Sequence, residues 1–309
     1  MSNSTADTQS GHPLGRRIAG WIAVIISTIF SGLWAFWGAL ENFHEGWYFT
    51  LLWQNLLLMF FQYMIFMFSF VVLTVVGIRW PKTGGIITAC IGLFFIWFFR
   101  GASALPLLVI PMLVITVLFF YGRPTPKKWT YRVAVYIPIL VFLGFSIEPA
   151  IRVIGRHDDG DRGARIVEGN GVKLMWAPLG PGWPTTGTSY QQALKNCEYL
   201  SEDGTALSEN PQNIWRLPTV DEVVRSMCRQ GKNCGGAWNS VTGSPKYHVT
   251  PDKETPLWNP NSQIIYWWTK SEKNDSTVYV AVYNGMINTA DKKFYPGSRA
   301  FRAIKEVAE

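Results

Sequence analysis

Long apolar runs fill the first half of the chain and constrain its fold more than any other feature. They cover residues 18–40, 47–76, 84–99, 104–121 and 133–151. A run of about 20 apolar residues is long enough for one helix to cross the hydrocarbon core of a membrane. The first run is too long for the core of a signal peptide, and no small-residue cleavage pattern follows it. We therefore expect a multi-span α-helical membrane region over 18–151, with about five spans, after a cytoplasmic tail over 1–17.

The two shorter runs flank Arg100. They form either two short spans or a re-entrant hairpin, and both interpretations leave an odd number of crossings. With five spans, one side of the membrane receives Arg16, Arg17, Arg79, Lys82, Arg123, Lys127, Lys128 and Arg132. Cytoplasmic loops carry an excess of Lys and Arg. We therefore expect an inner-membrane protein of bacterial type, with a cytoplasmic N-terminus and a periplasmic or extracellular C-terminal domain.

The net charge of +7 does not indicate a nucleic-acid partner. Residues 1–151 hold 9 Lys and Arg against 4 Asp and Glu, whereas residues 152–309 hold 19 against 17. Most of the excess thus lies beside membrane segments, and no basic groove with interleaved aromatic residues is present. The membrane half has few polar groups, of which Gln62 is the clearest, and we interpret this half as an anchor or an assembly surface for other membrane subunits.

The second half of the chain is predicted to contain a charged linker over 152–169, followed by an α+β domain over 170–309. Strand signals cover 172–176, 264–269, 277–283 and 299–304. Ser189 is placed to cap a helix over 190–200, and Thr219 with Glu222 forms a capping-box pattern before a helix over 220–227. Asn284-Gly285 between two apolar stretches is a strong signal for a β-hairpin.

A series of residues in this half resembles a known family. The series comprises Trp176, Ala193, Cys197, Leu200, Trp215-Arg-Leu-Pro-Thr-Val-Asp-Glu222, Tyr266-Trp-Trp-Thr269, Asn284-Gly285 and Phe301-Arg302-Ala303. Over about 170–305 it resembles the DUF1566 or Lcl C-terminal domain family, which is related to formylglycine-generating-enzyme and sulfatase-modifying-factor domains. The resemblance implies a C-type-lectin-like fold. It also implies a mainly structural motif made of Trp215, Arg216, Leu217, Pro218, Thr219, Glu222, Trp268, Gly285 and Arg302.

The chemistry of the related enzymes does not carry over to this chain. Those enzymes hold copper with a pair of cysteines near the C-terminal end, and no cysteine follows Cys234. The lectin-type calcium motifs are also missing. We therefore expect no catalytic residue, metal or cofactor. Three cysteines lie in the predicted outer domain, where Cys228 and Cys234 enclose a short polar turn and are candidates for a disulfide, with Cys197 as the rival partner.

Aromatic residues in the long loops suggest a binding role. Trp183, Trp238, Tyr247 and Trp258 are the candidate contacts to a glycan, peptide or protein ligand, although tryptophan usually buries most of its area against its own domain. The favoured hypothesis is a membrane-anchored protein that presents the outer domain to such a partner. The alternatives are a sulfatase-modifying type of enzyme and a structural subunit of a membrane complex.

Overall fold

The computed structural model of the chain describes residues 13–44, 47, 49–98, 105–293 and 297–307. Residues 1–12 of the predicted tail and the predicted turn at Arg100 lie outside these ranges. The chain divides into two compact units. The first comprises Met1–His44 and Phe49–Ala150, and the second comprises Glu45–Tyr48 and Ile151–Glu309.

The first unit is helical. Its helices are α1 (Leu14–His44), α2 (Leu52–Met59), α3 (Ile65–Arg79), α4 (Pro81–Phe98), α5 (Leu105–Tyr121) and α6 (Lys127–Ile154), and a π-helical turn at Phe60–Met64 joins α2 to α3. Three segments are long and apolar enough to cross a membrane, namely Leu14–Asn42, Leu52–Arg79 and Lys127–Ile154. This confirms the predicted membrane association. The number of five crossings stays a prediction, because the remaining apolar helices, Pro81–Trp97 and Val109–Tyr121, are shorter.

Glycines allow these helices to approach at the level of the backbone. A Cβ atom added to Gly84 of α4 would lie 2.4 Å from the Cα of Gly77 in α3. A Cβ atom on Gly20 of α1 would lie 2.3 Å from the backbone nitrogen of Pro124. Small residues permit this close packing in membranes, where apolar burial does little to drive helices together.

The second unit is strand-rich and carries two helices. Its elements are β1 (Arg165–Gly169), β2 (Val172–Trp176), α7 (Tyr190–Tyr199), α8 (Val220–Ser226), β3 (Cys228–Arg229), β4 (Lys232–Asn233), β5 (Ala237–Asn239), β6 (Ser244–Lys246), β7 (Tyr266–Glu272), β8 (Thr277–Val282), β9 (Ile287–Asp291), β10 (Arg299–Ala300) and β11 (Ile304–Glu306). One antiparallel sheet has the order β1-β2-β11. A second has the order β10-β7-β8-β9, in which only β10 is parallel to its neighbour.

Both predicted helix starts are confirmed. The Ser189 side chain accepts a hydrogen bond from the Gln192 N–H at 3.2 Å. At α8, Thr219 and Glu222 form the reciprocal capping box, with the Thr219 N–H donating to Glu222 Oε2 at 2.7 Å. Each pairing satisfies N–H groups that the first helical turn leaves without a partner.

Two segments differ from the expectation. The predicted linker over 152–169 contains β1, whose five residues pair in register with β2. The predicted strand over 299–304 is interrupted between β10 and β11, because the Ala303 N–H leaves the sheet and donates to the Gly182 carbonyl at 2.8 Å. The chain thereby passes from one sheet to the other, and Arg302 lies at this crossing.

Tryptophans form the centre of the second unit. The rings of Trp258 and Trp267 stack with centroids 3.7 Å apart, and the Trp176 ring lies 5.6 Å from that of Trp267. All three side chains are buried. Aromatic side chains of this size bury a large apolar area each, so this stack joins the β2 sheet, the β7 sheet and the loop before β7.

Candidate functional site

The four aromatic residues predicted to bind a ligand have different environments. Trp183 and Trp258 are 3% and 2% exposed. The Trp183 ring lies under the guanidinium of Arg302, 3.7 Å from centroid to Cζ, and Trp258 belongs to the tryptophan stack. The predicted ligand contacts at Trp183 and Trp258 are therefore wrong, because contacts within the core occupy the ring faces that a ligand would need.

Trp238 lies on the outside of the same domain. It is half-buried on β5, and its ring contacts that of Tyr279 on β8 edge-on, with centroids 5.5 Å apart. The β5–β6 hairpin continues from it to Val241, whose side chain is 93% exposed. Trp238, Val241 and Tyr279 together are called the hairpin surface below. Strand β5 pairs with β6 and β8 pairs with β9, so backbone hydrogen bonds hold both strands that carry the two rings.

Tyr247 contacts the neighbouring turn instead of forming a free surface. Its hydroxyl donates to the Gly285 carbonyl at 3.0 Å, and burial raises its pKa above the usual value. Gly285 has a φ of +85°, and a Cβ atom there would lie 2.7 Å from the Tyr247 ring. Glycine is therefore required at this turn for both its backbone conformation and its lack of a side chain.

The Trp215–Glu222 motif has a local structural explanation. Arg216 donates to both carboxylate oxygens of Glu222, at 2.8 and 2.6 Å. Burial acts to raise the pKa of Glu222, but the pairing with Arg216 and the Thr219 hydrogen bonds together outweigh it and lower that pKa below its usual value. Arg216 also joins the Ile304 backbone through two hydrogen bonds of 2.9 Å. The motif thus attaches the entry of α8 to β11.

The other residues of the motif are core or backbone contacts. Trp215 donates its indole N–H to the Ser201 carbonyl at 2.8 Å, and Trp268 donates to the Thr188 carbonyl at 2.7 Å. Leu217 is buried, and the Pro218 carbonyl accepts from the Lys270 N–H at 2.7 Å. These contacts give the motif a structural role.

Arg302 is a fully buried cation held by carbonyl groups. Its guanidinium donates to the carbonyls of Ala177, Pro256 and Leu257 at 2.8, 2.8 and 2.7 Å, with a longer contact of 3.4 Å to that of Gly163. Burial lowers its pKa well below the usual value. Since those carbonyls belong to three separate loops, at Gly163, Ala177 and 256–257, one side chain satisfies polar groups of each.

The three cysteines of this unit are buried free thiols. Burial raises the pKa of Cys197 and Cys228 to about 12, and that of Cys234 to about 11. A thiol that is neutral and enclosed is a poor nucleophile. The Cys228–Cys234 disulfide is not formed in this structure, although both thiols belong to one core cluster. Among the described residues, no group of three or more His, Cys, Asp or Glu is placed to hold a metal ion.

A buried ion-pair network was missed at the sequence level. Asp252 accepts from Arg156 Nε at 3.1 Å and from Arg229 Nη1 at 2.8 Å. Arg229 also pairs with Glu254 at 3.5 Å. The sequence shows only charged residues in a supposed linker and in an irregular loop, about 100 residues apart. Nothing local reveals their burial. Arg152 also lies 4.0 Å from Asp252, so this cluster of ion pairs fixes the end of α6 and the chain just after it to the 252–254 loop.

In the helical unit, the basic residues lie at one end of the bundle. The Arg123 N–H donates to the Arg16 carbonyl at 2.8 Å, which joins the α5–α6 loop to the start of α1. Gly77 faces the ring of Phe119, which places the α3–α4 turn at the same end. The predicted basic loops containing Arg16, Arg79, Lys82 and Arg123 therefore meet. Aromatic rings lie beside them, with Arg132 4.9 Å from the Trp129 centroid.

Comparison with known proteins finds a family match in the helical unit. Residues 13–132 match the family model described as "Domain of unknown function (DUF7670)". The match covers α1 to α5 and the beginning of α6. No curated protein and no solved structure matches the chain.

This finding overturns the resemblance to the DUF1566 or Lcl C-terminal domain family. The matched family is a different one, it covers the opposite half of the chain, and no relative or structure supports the expected family. The C-type-lectin-like and sulfatase-modifying expectations are withdrawn with it. The Trp215–Glu222 stretch that carried the resemblance has a local explanation, because its capping box begins α8 and Arg216 joins Glu222 to the Ile304 backbone.

Proposed function

We propose that this chain is a membrane-anchored binding protein, whose C-terminal domain lies outside the cytoplasm and binds a glycan, peptide or protein partner. The orientation is supported by the basic end of the helical unit. Since Lys and Arg favour the cytoplasmic side, that end is assigned to the cytoplasm. The helix α6 begins at this end with Lys127 and leads away from it to the second unit.

The hairpin surface is the observation that carries the binding role. Tyrosine and tryptophan are enriched in binding interfaces, where they combine a large apolar area with a polar group. Trp238 and Tyr279 have this character, and they lie on paired strands that hold their positions. The neighbouring turn over 240–243 is exposed or half-exposed and carries the hydroxyl groups of Ser240 and Thr242. A rigid aromatic pair with adjacent polar groups suits a saccharide ring or an extended peptide.

Replacing Trp238 with alanine should weaken partner binding without unfolding the domain. Truncation of a central aromatic contact costs about 2 kcal/mol or more, which corresponds to about a 30-fold loss of affinity. The wild-type full chain and the Trp238→Ala variant would each be placed in nanodiscs. Their affinities for peptidoglycan fragments and for soluble envelope extract would then be compared. Leu207→Ala is the control, because Leu207 is a large apolar side chain, 48% exposed, that lies outside the hairpin surface. Equal binding by the wild type and Trp238→Ala would refute the site assignment.

A further inference from the structure

Gln62 places a polar side chain in the middle of a membrane-spanning segment. It belongs to the π-helical turn Phe60–Met64, inside the apolar segment Leu52–Arg79. At 1.5 Å per residue, ten residues from Leu52 correspond to about 15 Å along the helix. The hydrocarbon core is about 30 Å thick, so the carboxamide lies near its centre. Single π-helical turns within α-helices are frequent at functional sites.

The carboxamide of Gln62 points out of the helical unit. The side chain is exposed, and Leu52–Arg79 is the least enclosed of the three long segments, with 11% of its apolar window buried against 44% and 22% for the others. Gln62 Nε2 donates to the Tyr63 hydroxyl at 2.9 Å. Within the described part of the chain, nothing donates a hydrogen bond to Gln62 Oε1. In the hydrocarbon core, no water is available to donate a hydrogen bond to this oxygen.

We propose that two copies of this chain associate in the membrane through a reciprocal Gln62–Gln62 hydrogen-bond pair. A carboxamide has two N–H donors and one carbonyl acceptor. One donor is used by Tyr63, which leaves one N–H and the oxygen for a partner. At a two-fold axis a residue meets its own copy. Each Gln62 can then donate to Oε1 of the other, and both unsatisfied groups are paired without a second residue type.

The face around Gln62 suits such a contact. Leu58 and Phe66 lie four residues before and after Gln62 on the same segment, where Leu58 is half-buried and Phe66 is 41% exposed. Residues four apart share one side of a helix. This side would supply apolar packing on the approach to the polar pair, as interhelical hydrogen bonds and side-chain packing together drive helix association in membranes.

Cysteine cross-linking in membranes tests the symmetric contact. The background is Cys90→Ser, which removes the cysteine exposed on α4. We expect Gln62→Cys to form a disulfide-linked dimer of the full chain under mild oxidation. Leu140→Cys is the matched control, since Leu140 is 65% exposed near the middle of α6. Equal cross-linking at both positions, cross-linking of Gln62→Cys to a different protein, or no dimer at position 62 would overturn the proposal.

The hydrogen bond itself is tested by Gln62→Leu and Gln62→Asn. Photobleaching steps of single fluorescent molecules in vesicles would give the dimer fraction as the protein-to-lipid ratio is varied. We expect Gln62→Leu to raise the dimer dissociation constant at least about fivefold, in line with the modest strength of such bonds. Gln62→Asn keeps a carboxamide and should retain most of the dimer. A fully dimeric Gln62→Leu variant would overturn the reciprocal pair. Gln62 is exposed in the single chain, so its replacement leaves the packing within the helical unit intact.

Discussion

Replacing Arg302 with methionine should unfold the C-terminal domain under conditions in which the wild type is stable. Arg302 is 0% exposed and donates to four carbonyl groups in three loops. Methionine keeps much of the volume and removes every donor. Each buried acceptor left without a partner costs about 1 kcal/mol or more, so we expect a loss of at least about 3 kcal/mol. That loss is a large part of the stability of an ordinary domain, about 5–15 kcal/mol.

The measurement is the denaturant midpoint of tryptophan fluorescence for the full chain in detergent. Trp183, Trp258 and Trp267 are buried in this domain, so tryptophan fluorescence changes when it unfolds. Arg225→Met is the matched control. The Arg225 side chain is 37% exposed and pairs with Asp221 on the surface of α8. Exposed ion pairs contribute about 1 kcal/mol or less. If both variants unfolded at the same midpoint, Arg302 would not have the structural role assigned to it.

Replacing Gly84 with valine should disrupt the helical unit. A Cβ atom at this position would lie 2.4 Å from the Cα of Gly77, and the obstructing atom belongs to the backbone. A side chain cannot rotate away from such a clash, so α3 and α4 must separate. Overpacking of a rigid contact costs about 1–3 kcal/mol, and more where the backbone has to move.

Thermal aggregation of the purified chain, followed by size-exclusion chromatography, measures this effect. We expect Gly84→Val to aggregate at a markedly lower temperature than the wild type. Gly144→Val is the control, because nothing lies within 4 Å of an added Cβ at Gly144 in α6. Similar profiles for the two variants would mean that the Gly77–Gly84 approach is not needed for the fold.

Local signals were sufficient for much of the fold. The apolar runs predicted helices, because only helices satisfy the backbone of a single membrane-crossing segment internally. The capping residues Ser189, Thr219 and Glu222 predicted where two helices begin, since their hydrogen bonds reach only three residues along the chain. Strand β2 and the turn at Gly285 were predicted for the same reason.

Contacts between distant segments were not predictable from one sequence. Trp183 and Trp258 look like ordinary loop tryptophans, and only the packing of Arg302 and Trp267 shows that they are buried. The pairing of Asp252 with Arg156 joins residues 96 positions apart. A charged segment without apolar periodicity is normally solvated. The charged composition of residues 152–169 therefore indicated a linker, although this segment contains β1.

The side of the membrane on which the C-terminal domain lies is the claim on which the proposed function depends most directly. Val241→Cys and Lys128→Cys, each in the Cys90→Ser background, place an exposed thiol on the hairpin surface and at the basic end. The remaining native thiols are buried, so they contribute little label in the folded protein. A membrane-impermeant maleimide should label Val241→Cys in intact cells, and Lys128→Cys only after permeabilisation. Labelling of Lys128→Cys in intact cells, with Val241→Cys protected until permeabilisation, would contradict the proposed orientation.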